Sequence, residues 1–242
     1  MRYGIFSDVH SNMEAIEAVI GAYKNESIGR YICVGDLVGY AANPNECVDA
    51  VRNLCAASVA GNHDLACVDL FPHSYFNSNA IEAVIWTKRV MDDFTGLYLR
   101  SLKLIYQNPD LTLAHGTLNG PEKFDYMADI DAASESFPLL ETKVCFVGHT
   151  HQPGIFVKDA SGRIRYARDK KILLNDNSSY IVDVGSVGQP RDGDPKAAYC
   201  VYDTVSKVIE IKRQSYDADS TRKKIIEVGL PRFLGDRLLT GN

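Results

Sequence analysis

Five of the six histidines in this 242-residue chain stand in short clusters with Asp, Asn and Gly. The clusters are Asp8-Val9-His10, Gly61-Asn62-His63-Asp64, His115-Gly116 and Gly148-His149-Thr150-His151, and Gly35-Asp36 adds a fifth of the same kind. Imidazole nitrogens with carboxylate or amide oxygens suit hard-to-borderline divalent cations such as Mn, Fe or Zn. No thiolate belongs to the set, which disfavours a structural zinc site. Each cluster alone has an ordinary explanation. Gly-Asp after a strand is a common turn, and Asn-His after a glycine can start a helix. Each cluster directly follows an apolar, strand-like run, and five such coincidences point to one shared site.

The elements that must position these residues can be read from periodicity. Tyr3–Phe6 is a short apolar strand. Asn12 is expected to cap a helix running to Tyr23, with Met13, Ile16, Val19 and Ile20 on one face. RYICVGD (30–36) reads as a buried strand. Pro44 opens a second helix with Cys47, Val48, Val51 and Leu54 as its stripe. ASVAG (57–61) is a third strand, so the first 60 residues predict parallel βαβ winding, whose strand ends open on one edge. Residues 65–110 read as a mostly helical excursion, and LYLRSLKL (97–104) is taken to continue it. Strands follow at LTLAH (111–115) and VCFVGH (144–149). Beyond them lie six short strand patterns: GIFVKD, IRYAR, KILLN, SYIVDVG, AAYCVYD and VIEIKRQSY. Turn residues separate them, and they read as an antiparallel meander. DSTRKKIIEVGL (219–230) predicts a closing helix. With no repeat, low-complexity tract or linker, the expectation is one domain over 1–242.

The bulk numbers exclude several classes. A hydrophobic share of 45% with 24% charged residues is that of a globular domain, not of a disordered chain or fibre. A net charge of −5 argues against a stable nucleic-acid partner. No apolar run is long enough for a membrane span, and the apolar run in MRYGIFSDVHSN is shorter than a secretory leader needs, so none is expected. None of the six cysteines forms a CxxC pair, so free thiols in a reducing compartment, the cytoplasm, are expected. Cys67 is expected as a buried thiol, His73 as a surface histidine, and Trp86 and Tyr75 as core residues, unless the 65–110 segment forms a wall over the site.

The order D-x-H, GD-x-x-G, GNHD, H-G, GHTH, spanning Ile5 to His151, resembles the calcineurin-like metallophosphoesterase superfamily. GSVGQPRDGDPKAAY (185–199) is similar to its small bacterial phosphodiesterase-like branch. The resemblance implies an α/β fold, a four-layer α-β-β-α sandwich of two mixed sheets flanked by helices, with the metals at one edge between the sheets. It implies two divalent ions (Mn favoured, Fe or Zn also accepted). Asp8, His10 and His151 would hold one, Asn62, His115 and His149 the other, and Asp36 would bridge them. His63 would be catalytic, as proton donor or positive stabiliser of the leaving oxygen. Two such ions, about 3.5–4 Å apart, lower the pKa of water towards about 7 and clamp the oxygens of an in-line displacement, so hydrolysis of phosphate esters by hydroxide is the implied activity. Arg191 and Asp64 are candidate substrate-binding residues, Arg191 for a non-bridging phosphate oxygen, while Asp64 could instead orient its loop or cap a helix. The branch that acts on phosphoproteins carries GDxxDRG at the second motif. Here the run is GDLVGY, which lowers that reading and favours a small phosphodiester or nucleotide-type substrate. Dinucleoside polyphosphate or phosphoprotein hydrolysis stands as the alternative, and a non-catalytic metal-site scaffold as the remote one.

Overall fold

A computed structural model describes all residues, Met1–Asn242. The strands are β1 (Arg2–Phe6), β2 (Arg30–Cys33), β3 (Cys55–Ser58), β4 (Ile105–Asn108), β5 (Leu111–Ala114), β6 (Val144–Val147), β7 (Gly154–Lys158), β8 (Ile164–Ala167), β9 (Lys171–Leu173), β10 (Ser179–Asp183), β11 (Ala197–Asp203) and β12 (Val208–Gln214). The helices are α1 (Met13–Tyr23), α2 (Pro44–Leu54), α3 (Asn62–Cys67), α4 (Ser78–Val90), α5 (Asp93–Ser101), α6 (Ile130–Ser136), α7 (Ala218–Glu227) and α8 (Arg232–Asp236).

They build two mixed six-stranded sheets, ordered β3-β2-β1-β11-β12-β9 and β4-β5-β6-β10-β7-β8. In the first, β1, β2 and β3 run parallel and β11 pairs antiparallel with β1. In the second, β5, β6 and β10 run parallel. The side-chain period of two divides each strand between two cores. Tyr3 and Ile5 of β1 join Val144, Phe146, Tyr180 and Val182 in the core between the sheets. Phe6 faces the opposite way, into the core shared with Ile16 and Val19 of α1 and Val48 and Val51 of α2. The outer face of the second sheet is covered by Ala133 of α6 with Leu118, Met127 and Phe137. Helices therefore flank the sheet pair on both sides, as expected.

Local signals place the helices as read. The Asn12 side chain accepts the Ala15 N–H at 3.1 Å, and Pro44 stands at the start of α2. Two expectations need correction. The helical excursion ends before 110, because Ile105–Asn108 is a strand in a hairpin with β5. Asn108 Oδ1 accepts the amides of Asp110 and Leu111 and closes that turn, a side-chain turn that helical periodicity does not reveal. The second-half strands do not form one meander either. β7, β8 and β10 lie in the second sheet and β9, β11 and β12 in the first, with β10 inserted parallel beside β6. α8 and α6 had no sequence reading.

Candidate metal centre

The five motifs leave β1, β2, β3, β5 and β6 at one edge of the sheet pair. Strands alone would not aim their side chains inward. The backbone does so by entering the left-handed region at Asp8 (φ 55°), His10 (49°), Asp36 (52°), His149 (67°) and His151 (60°). Side chains with a Cβ adopt this region rarely, and non-glycine cases cluster at functional sites. Cross-links between the segments hold it. Asp8 N donates to Gly35 O at 2.9 Å, His10 N to Asp36 O at 3.0 Å, and Gly148 N to His115 O at 3.0 Å. Gly61 must be glycine, because a Cβ there would lie 2.0 Å from Asp36 Oδ1.

All seven candidate ligands are buried; the six His and Asp among them fall into mutually close groups, and Asn62 lines the same cavity as Asp36, His149 and His151. His151 Nε2 lies 3.1 Å from Asp8 Oδ1 and 3.1 Å from His10 Nε2. Asp36 Oδ2 stands 3.6 Å from His10 Nε2 and 3.3 Å from His115 Nε2, between the two halves. Donors about 2.0–2.2 Å from a common ion are about 3.0–3.5 Å apart, so these separations fit shared cations. Asp8 Oδ1, Asp36 Oδ2, Asn62 Oδ1 and His115 Nε2 have no hydrogen-bond partner. Buried lone pairs left unpaired are costly, and a cation satisfies them. The imidazoles are set for this role. Nδ1 of His10, His115 and His151 meets the carbonyl of Val38 (3.0 Å), Val34 (2.7 Å) and Gln189 (2.6 Å). A carbonyl only accepts, so each Nδ1 carries the proton and each Nε2 lone pair faces the centre. His149 is held by its ring, stacked on Tyr126 at 4.0 Å, and by its amide, which donates to Asp8 Oδ2.

Electrostatics agree with a site built for positive charge. Burial opposes ionisation of Asp8, but His151 and His10 draw its carboxyl well below the usual range. Asp36 is likewise lowered against its burial by His115 and His63. His115 is pushed up to about 10, its burial outweighed by Asp36 and Asp8. Burial and then His115 lower His149 to about 3, and burial and then Arg191 lower His151 to about 4. Without metal, Asp36 and Asp8 therefore hold a proton on His115 at neutral pH, where a cation would otherwise sit.

His63 packs against Tyr40, Phe76 and His10 at ring separations of 4.4, 4.8 and 4.9 Å. Its nitrogen also falls in a metal-capable group with His10 and Asp36. Burial holds its pKa well below the usual value, so the positive form expected from the sequence requires an anion nearby. Asp64 is corrected as a substrate-binding candidate. It is fully buried, and its carboxylate accepts the amides of Leu37 (2.8 Å), Val38 (3.2 Å) and Gly61 (2.9 Å). It clamps the Asp36 loop to the Asn62 loop and caps α3, so it both orients the loop and caps the helix. Arg191 lines the cavity of about 80 Å³ over the site, its guanidinium bonded to Gln189 Oε1 at 2.7 Å and 5.6 Å from the Tyr40 ring. Tyr75, with Phe76 and Asn77, walls this cavity, while Trp86 packs toward the C-terminal helices. Cys67 is buried as expected, and His73 is half-buried on a short turn. Sequence reasoning missed Tyr40, Tyr126 and Gln189. Tyr40 follows the Gly35-Asp36 motif directly, and Gln189 sits in the glycine-rich run after β10, so position gave a signal for both. Tyr126 gave none.

A two-sheet α/β sandwich carrying buried His/Asp clusters at one edge defines a metallophosphoesterase-type domain. The chain belongs to the calcineurin-like phosphoesterase superfamily, whose domain model matches residues 1–207. It is 39% identical over 241 residues to the uncharacterized protein MJ0912 of Methanocaldococcus jannaschii, covering 98% of this chain and 97% of that one. The crystal structure of a metallophosphoesterase from Sphaerobacter thermophilus superposes with a TM-score of 0.88 at 35% identity, over 100% of both chains. The hypothetical protein PH1004 of Pyrococcus horikoshii shares the fold, with a TM-score of 0.80 at 18% identity, over 100% of this chain and 98% of that one. Family and site together support a metal-dependent phosphoesterase, a hydrolase of phosphoric esters. No helix is long and apolar enough to cross a membrane.

Proposed function

We propose that the protein hydrolyses small phosphodiesters or nucleotide-type esters with two divalent ions, manganese preferred. The observation that carries this reading is the convergence of unpartnered buried donors, Asp8 Oδ1, Asp36 Oδ2, Asn62 Oδ1 and His115 Nε2, on one centre. Asp8, His10 and His151 would hold one ion, and Asn62, His115 and His149 the other. Asp36, whose Oδ2 stands between His10 and His115, would serve both. Such a pair supplies hydroxide at neutral pH and neutralises phosphate charge. The chain's own residues do the rest. Carbonyls of Val38, Val34 and Gln189 fix the ligand tautomers. Arg191, oriented by Gln189 and Tyr40, meets a non-bridging oxygen of the ester. His63 is neutral at rest; an incoming phosphate anion raises its pKa, and the imidazolium donates its proton to the leaving oxygen. Tyr40 occupies part of the loop that carries acid and arginine in phosphoprotein phosphatases, which supports a small substrate. Six unpaired cysteines support a reducing compartment such as the cytoplasm. The test is metal analysis of the purified chain, followed by turnover of bis-p-nitrophenyl phosphate, p-nitrophenyl phosphate and a phosphoserine peptide with Mn, Fe or Zn. Two bound ions and preference for the diester are expected. A chain that binds no divalent ion, or that prefers the phosphopeptide, overturns the reading.

A further inference from the structure

The cavity over the metal centre does not end there. Tyr126 and Arg191 line it and also line a neighbouring cavity of about 290 Å³, whose far side is formed by Gln152 and Tyr166. Gln152 and Tyr166 in turn line a third cavity of about 240 Å³, which carries three cations, Arg168, Lys170 and Arg213, against two carboxylates, Asp169 and Asp192. Three cavities that share lining residues in sequence lie side by side, from the metal centre past two half-exposed tyrosines to a cationic end, and a ligand lying across them would follow one groove. Its dimensions follow from strand pairing. β7 and β8 pair Ile155 with Ala167, so the next pair outward is Gly154 with Arg168. Two residues, Gln152 and Pro153, lie between His151 and Gly154, and one strand spacing separates Gly154 from Arg168, so the backbone of the cationic end lies within about 16 Å of that of the centre. The groove's middle is built for a flat group. Tyr166 lies over Gly154 so closely that a Cβ there would be 2.2 Å from its hydroxyl, and its ring is backed by Phe156 at 4.7 Å. Tyr126 is backed by His149. At the far end Arg213 is paired with Asp192, while Arg168 and Lys170 make no ion pair within the chain and share the lining with one carboxylate, Asp169, so the end keeps an excess of cationic charge to offer an incoming anion.

We propose that this groove is an extended substrate site: Tyr126 and Tyr166 carry an aromatic base, and Arg168 and Lys170 receive a second phosphate group, so that the preferred substrate is a phosphodiester with a nucleoside and a further terminal phosphate beside the attacked phosphorus. This rests on the phosphodiesterase reading of the metal centre. A single small phosphate ester reaches only the first cavity. An oligonucleotide end or a 5′-phosphorylated dinucleotide fills all three, with base stacking and charge pairing in separate places.

The probes are ApA and pApA, which differ only in the terminal phosphate. Equilibrium binding to the full chain is measured by calorimetry without metal, and KM with Mn. We expect pApA to bind about tenfold or more tighter than ApA, and its KM to be lower by a similar factor. The double variant Arg168→Ala with Lys170→Ala brings the two ligands to equal affinity, and Lys170→Glu reverses part of the preference; both alter exposed side chains, and thermal melting checks that they fold. Tyr166→Ala weakens both dinucleotides by similar factors and leaves their ratio intact. Equal binding of ApA and pApA to the natural chain overturns the proposal, as does a preference that survives the double variant. Failure to hydrolyse bis-p-nitrophenyl phosphate with any divalent ion would overturn the proposed activity instead, and the metal-free binding arm still decides the groove.

Discussion

Replacing Gly61 by Ala adds one methyl group and should dismantle half of the metal centre. The new Cβ would stand 2.0 Å from Asp36 Oδ1, 2.5 Å from Asp36 N and 2.6 Å from Asp36 Cγ. The oxygen would have to retreat by roughly 1.4 Å, the gap between 2.0 Å and the 3.4 Å at which ordinary contact begins. It cannot rotate away freely, because Oδ1 accepts the His63 amide at 2.9 Å and the backbone of Asp36 is itself pressed. Metal ligands tolerate displacements of about 0.2 Å, and a misplacement of about 1 Å at a catalytic group costs on the order of 100-fold in rate. Overpacking a tight core site costs about 1–3 kcal/mol, or about 2–4 °C in Tm per kcal/mol for a chain of this size. The assay is metal stoichiometry by mass spectrometry, kcat on bis-p-nitrophenyl phosphate with excess Mn, and a melting curve. The expected variant binds fewer than two ions, loses on the order of 100-fold in kcat and melts several degrees lower. Gly21→Ala is the control: a Cβ there meets nothing within 4 Å inside α1, so it should be neutral or slightly stabilising. A Gly61→Ala protein with two ions and kcat within threefold of the natural chain would refute the claim that Asp36 is positioned by this contact.

His63→Ala should lower kcat by about 100- to 10,000-fold while two ions stay bound; loss of an ion would make His63 a ligand. Asp64→Ala strands the amides of Leu37, Val38 and Gly61, and each buried amide left unpaired costs about 1–3 kcal/mol, so Tm and metal affinity should fall together; a normal Tm would contradict the clamp. Because His115 is raised to about 10, metal must displace its proton at neutral pH. Calorimetry in buffers of different ionisation enthalpy should report close to one proton released at pH 8, and metal affinity should rise about tenfold per pH unit below 10. The same raised pKa stabilises the metal-free fold fully below about 6.5 and loses that contribution as pH rises through about 10, so metal-free Tm should decline over that window. No proton release would remove the His115 assignment.

The donor set was legible because each ligand lies in a short contiguous motif behind a strand-like run, and strand ends gather whatever sheet they join. The layered fold was legible for the same reason: apolar runs such as RYICVGD and VCFVGH mark buried strands. The assignment of the later strands to sheets was not. β7 to β12 carry similar alternation, and the insertion of β10 between β6 and β7 is decided by long-range pairing alone. The partners of Asp64 and Gln189 were obscure for a related reason. Their roles lie in bonds to amides and imidazoles 26 to 38 residues away, such as Asp64 to Leu37 and Gln189 to His151, and residue type does not announce such partners.

The run Gly185-Ser186-Val187-Gly188-Gln189 then has a physical reason to exist. Five candidate ligands hold left-handed backbone angles, at a cost on the order of 1 kcal/mol each for residues with a Cβ. Together that is about 5 kcal/mol, comparable with the whole net stability of many domains, about 5–15 kcal/mol. The strain must be offset locally or the motif loops would relax and scatter their donors. The 185–189 run provides this by lying along the end of β1. Val187 N donates to Ser7 O, and Gly188 N and the Ser186 hydroxyl both donate to Asp8 O. Asn12, the cap of α1, donates to Gly188 O, and Gln189 O receives the His151 Nδ1 proton. One segment thus ties the first motif to the last across the two sheets. A cation entering the site meets donors already in place, and its binding energy is not spent on ordering them.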